Sequence, residues 1–124
     1  MIRDLVGVPW EYGEMDCWKL MILAQKMLWG RDIKTRRSQA YTPRTLVEKS
    51  GDILCELNDL GEKIRTPRAG DILVLRLQGG YHVATFVSNY EILHIYENHT
   101  SRVSRYSAPF KRRTFAIYRL REVI

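Results

Sequence analysis

Residues 14–30, EMDCWKLMILAQKMLWG, place an acidic residue before a cysteine and then run apolar at helical intervals. Cys17, Leu20, Met21, Ala24, Met27 and Leu28 follow the i, i+3, i+4, i+7 template, which predicts an amphipathic helix over 17–29. Asp16 is the candidate N-cap, and Gly30 stands where a glycine closes the last turn. Cys17 therefore falls in the first turn, where unpaired N–H groups and the positive end of the helix dipole favour a thiolate. It is either a nucleophile or a small residue filling space at a helix start.

Working outward, Thr42-Pro43 resembles an N-cap with proline at the first helical position. Leu46, Val47, Ser50, Ile53, Leu54 and Leu57 then form a second helical stripe, weakened at Gly51 and leaving the helix between Asn58 and Gly61. From Gly70 the character changes. Ile72–Leu75, His82–Val87, Glu91–Tyr96 and Thr114–Leu120 are short runs rich in β-branched and aromatic residues. Gly79-Gly80 and Ser88-Asn89-Tyr90 separate them as turns. Helices first and strands afterwards predict an α+β fold, its N-terminal helices packed on one face of an antiparallel sheet of about five strands.

At 124 residues and 45% apolar content the chain suits one compact domain over 1–124, with a core that needs no disulfide staples. Two cysteines are too few for a disulfide framework, although a single Cys17–Cys55 bridge fits the count. Cys55 reads as a half-buried helix residue acting as a small hydrophobe. No metal site is expected, since the three histidines and two cysteines lack ligand spacing, and no glycine-rich phosphate loop points to a cofactor. Nothing from Met1 to Gly7 is apolar enough for a signal peptide and no later run could span a bilayer, so synthesis and folding in a cytosol without membrane insertion are expected. A formal charge of +6, concentrated at Arg36-Arg37 and Lys111-Arg112-Arg113, points to an acidic partner or simply to solvated faces. Nucleic acid is the weaker partner reading, because Trp18, Trp29 and Tyr106 fall mostly at core-like positions rather than along one groove.

A cysteine becomes a useful nucleophile when a base takes its proton and a third group orients that base. His82 and His94 lie in strands joined by a short turn. A ladder centred on Asn89 sets Ala84 opposite His94 and makes the two histidines diagonal neighbours on one face, about 7–8 Å apart. A one-residue slip puts them on opposite faces. Either can also be a satisfied, half-buried strand histidine, and His99 reads as exposed.

Here the residues resemble a known family. Gly7-Val8-Pro9-Trp10-Glu11-Tyr12-Gly13 followed by Asp16-Cys17 is similar to the opening of NlpC/P60 cysteine peptidases. Arg68-Ala69-Gly70-Asp71-Ile72-Leu73-Val74 resembles their Pro-Gly-Asp-hydrophobic strand. Tyr81-His82-Val83-Ala84 and Ile92-Leu93-His94 resemble their two histidine strands, in family order. The resemblance implies a papain-like core with Cys17 as nucleophile, His82 as general base and His94 as the orienting residue. It implies that the Cys17 N–H helps stabilise an oxyanion, and that Asp16, Trp10, Tyr12 and Trp18 shape the substrate cleft. Trp18-Lys19 stands where the family has Ser-Gly, Trp10 where it commonly has tyrosine, and Ala84 where it has a strand glycine.

The expected activity is hydrolysis of peptidoglycan stem-peptide amides, between D-glutamate and a diamino acid. The Asp-Cys-Trp form in a short domain is similar to the branch found in phage tail-assembly proteins. A place in the virion tail, alongside other tail proteins and after synthesis in the host cytoplasm, is therefore expected, as is a role in wall penetration or tail assembly. The alternative is a structural tail protein that keeps the fold with little or no activity.

Overall fold

The computed structural model describes residues 2–11, 14–33, 52–77 and 80–123. Its first long element is helix α1, Cys17–Trp29, held at both ends by the predicted caps. The Asp16 carboxylate accepts from the N–H groups of Trp18 and Lys19 at 3.0 and 3.1 Å. At the other end Gly30 takes a left-handed φ of 68°, a conformation that costs glycine little. The N–H groups of Gly30 and Arg31 then reach the carbonyls of Lys26 and Gln25. The buried arc of α1 is Trp18, Leu20, Met21, Ala24 and Gln25. Burying Gln25 is tolerable because its amide donates to the Gly70 carbonyl and accepts from Arg31.

Helix α2, Asp52–Leu60, carries the C-terminal part of the second predicted stripe, burying Ile53 and Leu57. The earlier stripe positions, Thr42-Pro43 to Ser50, lie outside the described residues. Among the described residues six strands follow: β1 Gly61–Ile64, β2 Ile72–Leu77, β3 Gly80–Phe86, β4 Glu91–His94, β5 Arg102–Arg105 and β6 Thr114–Leu120. They form one antiparallel sheet in the order β1-β6-β2-β3-β4-β5. The expectation of about five strands is thus corrected to six. The two strands with no counterpart among the predicted runs, GEKI and RVSR, are four-residue sheet edges. Short charged edges resist further pairing, and that composition hides them from a search for β-branched runs.

The sheet has two covered faces. On one, Trp18 and Met21 of α1 and Ile53 and Leu57 of α2 pack on Ile72, Val74, Val83, Tyr118 and Leu120. Leu20 and Ala24 extend that layer over Leu93 and Ile95, together with Leu5 from the 3-10 turn Ile2–Leu5. On the other face Leu73, Leu75, Ala84, Phe86, Ile92 and Ile117 are covered by Tyr106 and by Phe110 of a short helix α3, Ala108–Arg113. Helices therefore sit on both faces, not one, because the connection from edge strand β5 back to β6 crosses the far face and carries α3.

The motif Arg68-Ala69-Gly70-Asp71 locks the start of β2. Arg119 of β6 makes two hydrogen bonds to Asp71, at 2.9 and 2.8 Å, and the Arg68 N–H donates to the same carboxylate. Such a forked, nearly buried pair gives direction as well as attraction. Gly70, at φ 96°, presents its carbonyl to Gln25, so the same turn also anchors α1.

Candidate active site

Cys17 opens α1 as a half-buried cysteine outside any disulfide, and Cys55 is a separate, exposed cysteine on α2, also outside any disulfide. The two do not form the bridge that their number allowed, and Cys55 lies on the surface rather than half-buried. Cys17 packs against both clusters of the α1 layer, the one around Val83 and the one around Leu93 and Ile95. The next residue, Trp18, is 1% exposed and belongs to the core. It has no surface left for a substrate, which corrects its expected place in the cleft. Its burial pins the helix start that carries the thiol. Asp16, 2% exposed, acts on the same helix start as its cap.

The β3–β4 register decides the histidines. Thr85 pairs with Leu93 and Phe86 with Ile92, the ladder centred on Asn89. The Val87 N–H closes it onto the Glu91 carbonyl, and Ser88 braces the turn through Glu91 and the Tyr90 N–H. His82 and His94 therefore share a face, and by strand alternation it is the face of Leu75, Ala84 and Ile92. Tyr96 joins them: its ring stacks on His82 at 5.5 Å and 24°, and meets His94 edge-on at 5.1 Å.

Each imidazole has a distinct setting. The backbone of Ile95 accepts a hydrogen bond from the His82 ring, while His82 Nε2 is buried and has no partner. The donor is thus Nδ1, and the lone pair sits on Nε2, the tautomer a general base requires. His94 is 1% exposed; its Nε2 lies 2.7 Å from the Ser104 hydroxyl and its Nδ1 is buried without a partner. Both rings are held neutral. Burial, reinforced by the neighbouring His94, lowers the His82 pKa to about 4 against the opposing pull of the Ile95 carbonyl. Burial and then Arg102 lower that of His94 to about 4.

The bond to Ile95 ties the His82 ring to the backbone just beyond β4. The imidazole of His82 is rooted on the far face, yet it binds the backbone of a residue whose side chain packs in the cluster that Cys17 touches. The β3–β4 pairs end at Thr85 and Leu93, and His82 lies beyond them on β3, where it still pairs with Leu75 of β2.

A family model described as NlpC/P60 family matches residues 7–119, nearly the whole chain. The chain belongs to the NlpC/P60 family. Among curated proteins no match was found. The α+β architecture, with a capped helix against an antiparallel sheet, is consistent with the NlpC/P60 fold. Members are generally cysteine peptidases or amidases, and membership suggests a peptidoglycan-hydrolysing cysteine peptidase here.

The remaining expected site residues of this NlpC/P60 domain separate. Trp10 is half-buried against the Leu5–Leu20 cluster, with its backbone N–H on the His99 carbonyl. Tyr12 lies outside the described residues. Lys19 is half-buried; desolvation lowers its pKa while Asp16 and Glu14 oppose that shift. His99 is exposed, its ring bonded to the Glu97 carbonyl. Sequence reasoning missed Tyr96, the Ile95 carbonyl and Ser104. Period-two spacing from His94 points to Tyr96, but Ser104 lies on the unrecognised β5. Among the described residues no group of three or more His, Cys, Asp and Glu is placed to hold a metal ion, and no helix is long and apolar enough to cross a membrane.

Proposed function

We propose that this NlpC/P60 domain is a cysteine peptidase that cleaves the peptidoglycan stem between D-glutamate and the diamino acid. Cys17 is the nucleophile, His82 the base, and His94 a neighbour that packs on the same Tyr96 ring as His82. The thiol proton passes to His82 Nε2 while the sulfur attacks the scissile carbonyl. The resulting oxyanion develops near the positive end of α1. The imidazolium then protonates the leaving amine, and water, deprotonated by the same imidazole, hydrolyses the thioester. The observation that carries this reading is His82: an oriented, neutral imidazole with an uncommitted Nε2, tied to a residue of the cluster that Cys17 touches.

The phage-tail setting rests on the likeness of Asp16-Cys17-Trp18 in a short domain to tail-assembly proteins. The positive surface suits an anionic wall. Mass spectrometry of purified virions tests it: absence of the chain from tail particles removes the setting without touching the peptidase reading.

A second reading, a tail protein with the fold and little activity, is favoured by one observation. His94 bonds Ser104 and not His82, leaving the orienting contact to the Ile95 backbone. Incubating the protein and its Cys17→Ser variant with intact peptidoglycan and defined muropeptides separates the two. New amine termini from wild type alone, detected by mass spectrometry, support the peptidase. Intact substrate in both supports the structural reading.

A further inference from the structure

Arg102 is the residue of this face that the proposed mechanism leaves unused. It pairs directly across the β4–β5 ladder with His94, so it emerges on the same side as both imidazoles. Its guanidinium lies over the Tyr96 ring at 5.9 Å, and Tyr96 in turn stacks on His82 at 5.5 Å. The side chain is exposed, and among the described residues it has no carboxylate partner. Arg119 shows the contrast, being neutralised by two bonds to Asp71.

An arginine braced by an aromatic face keeps the donors along its edge free, and that edge matches a carboxylate bidentately. We propose that Arg102 is a specificity-determining residue that binds a free carboxylate of the peptide substrate next to the scissile bond. This rests on the peptidase reading and narrows it. The preferred substrate carries an ionised carboxylate on the residue beside the cut, and a stem in which that carboxylate is amidated is disfavoured. Amidation keeps the shape but replaces one acceptor oxygen with a donor and removes the charge, so the guanidinium loses its partner.

The test separates binding from turnover. In Cys17→Ala protein, two stem peptides are titrated by calorimetry: one in which D-glutamate is joined through its side-chain carboxyl and keeps its α-carboxylate, and the corresponding α-amide. The amide is expected to bind about tenfold more weakly, with Arg102→Gln erasing that difference and Arg102→Lys keeping part of it. Equal affinities for the two peptides, or an Arg102→Gln variant that still discriminates between them, overturns the assignment. Digestion of both peptides by protein with Cys17 intact distinguishes the two levels. If neither is cut while the binding preference follows Arg102, the peptidase reading falls and this assignment stands. If both are cut at a ratio that Arg102→Gln does not change, the assignment falls and the peptidase reading stands.

Discussion

His82 is kept neutral by burial and by its neighbour His94, with a pKa of about 4. A base held that low stays competent well into the acid range. The acid limb of kcat/KM is therefore expected near pH 4, not near the ordinary imidazole value of about 6.5, measured with a fluorogenic stem peptide. His82→Ala should lower kcat/KM by at least about 100-fold; an unchanged rate removes His82 from the mechanism. At this scale the sequence marks Cys17 and the two histidines as candidates because their residue types and order carry the signal. Trp18 departs from its expected place in the cleft for a physical reason. An aromatic beside a nucleophile looks like a cleft wall, but Trp18, Met21 and Gln25 share a helical stripe that faces a broad sheet.

Among elements, α1 was legible to its ends because both caps are local chemistry. The edges of the sheet were not. β1 is visible only through its partner β6, where Gly61 faces Leu120 and a Cβ at Gly61 would overlap the Arg119 backbone carbonyl. Gly61→Ala must push β1 off β6 and is expected to cost about 1–3 kcal/mol. Urea unfolding would register this as a lower midpoint with an unchanged slope. A midpoint equal to wild type would mean that this edge yields freely and that the close approach is unimportant. β5 has no such local marker: RVSR becomes a strand because it pairs with Glu91–His94, and that pairing supplies Ser104 and Arg102 to the histidine face.

For the whole molecule, the two neutral imidazoles make stability depend on pH. In the unfolded chain each binds a proton near pH 6.5, and in the folded protein only near pH 4. Between those values the unfolded state holds more protons, so stability rises with pH across this window and is lost as pH falls through it. One proton contributes a slope of up to about 1.4 kcal/mol per pH unit. Urea unfolding at several pH values between 4 and 6.5 should show this slope, flattened in a His82→Gln/His94→Gln variant. An equally steep slope in the variant would assign the effect to other groups.

The sequence by itself determined the capped helix that presents Cys17, the helix-then-strand order, the turn around Asn89 and the motifs that mark the family. All of these are encoded by residues near one another in the chain. The tertiary structure decided the six-strand order, the β3–β4 register, the core position of Trp18 and the bond from His82 to the Ile95 backbone. A two-residue period says that side chains alternate but not which residue stands opposite, and a backbone carbonyl has no residue-specific sequence signature. Both are set only when distant segments pack into a single sheet with two covered faces.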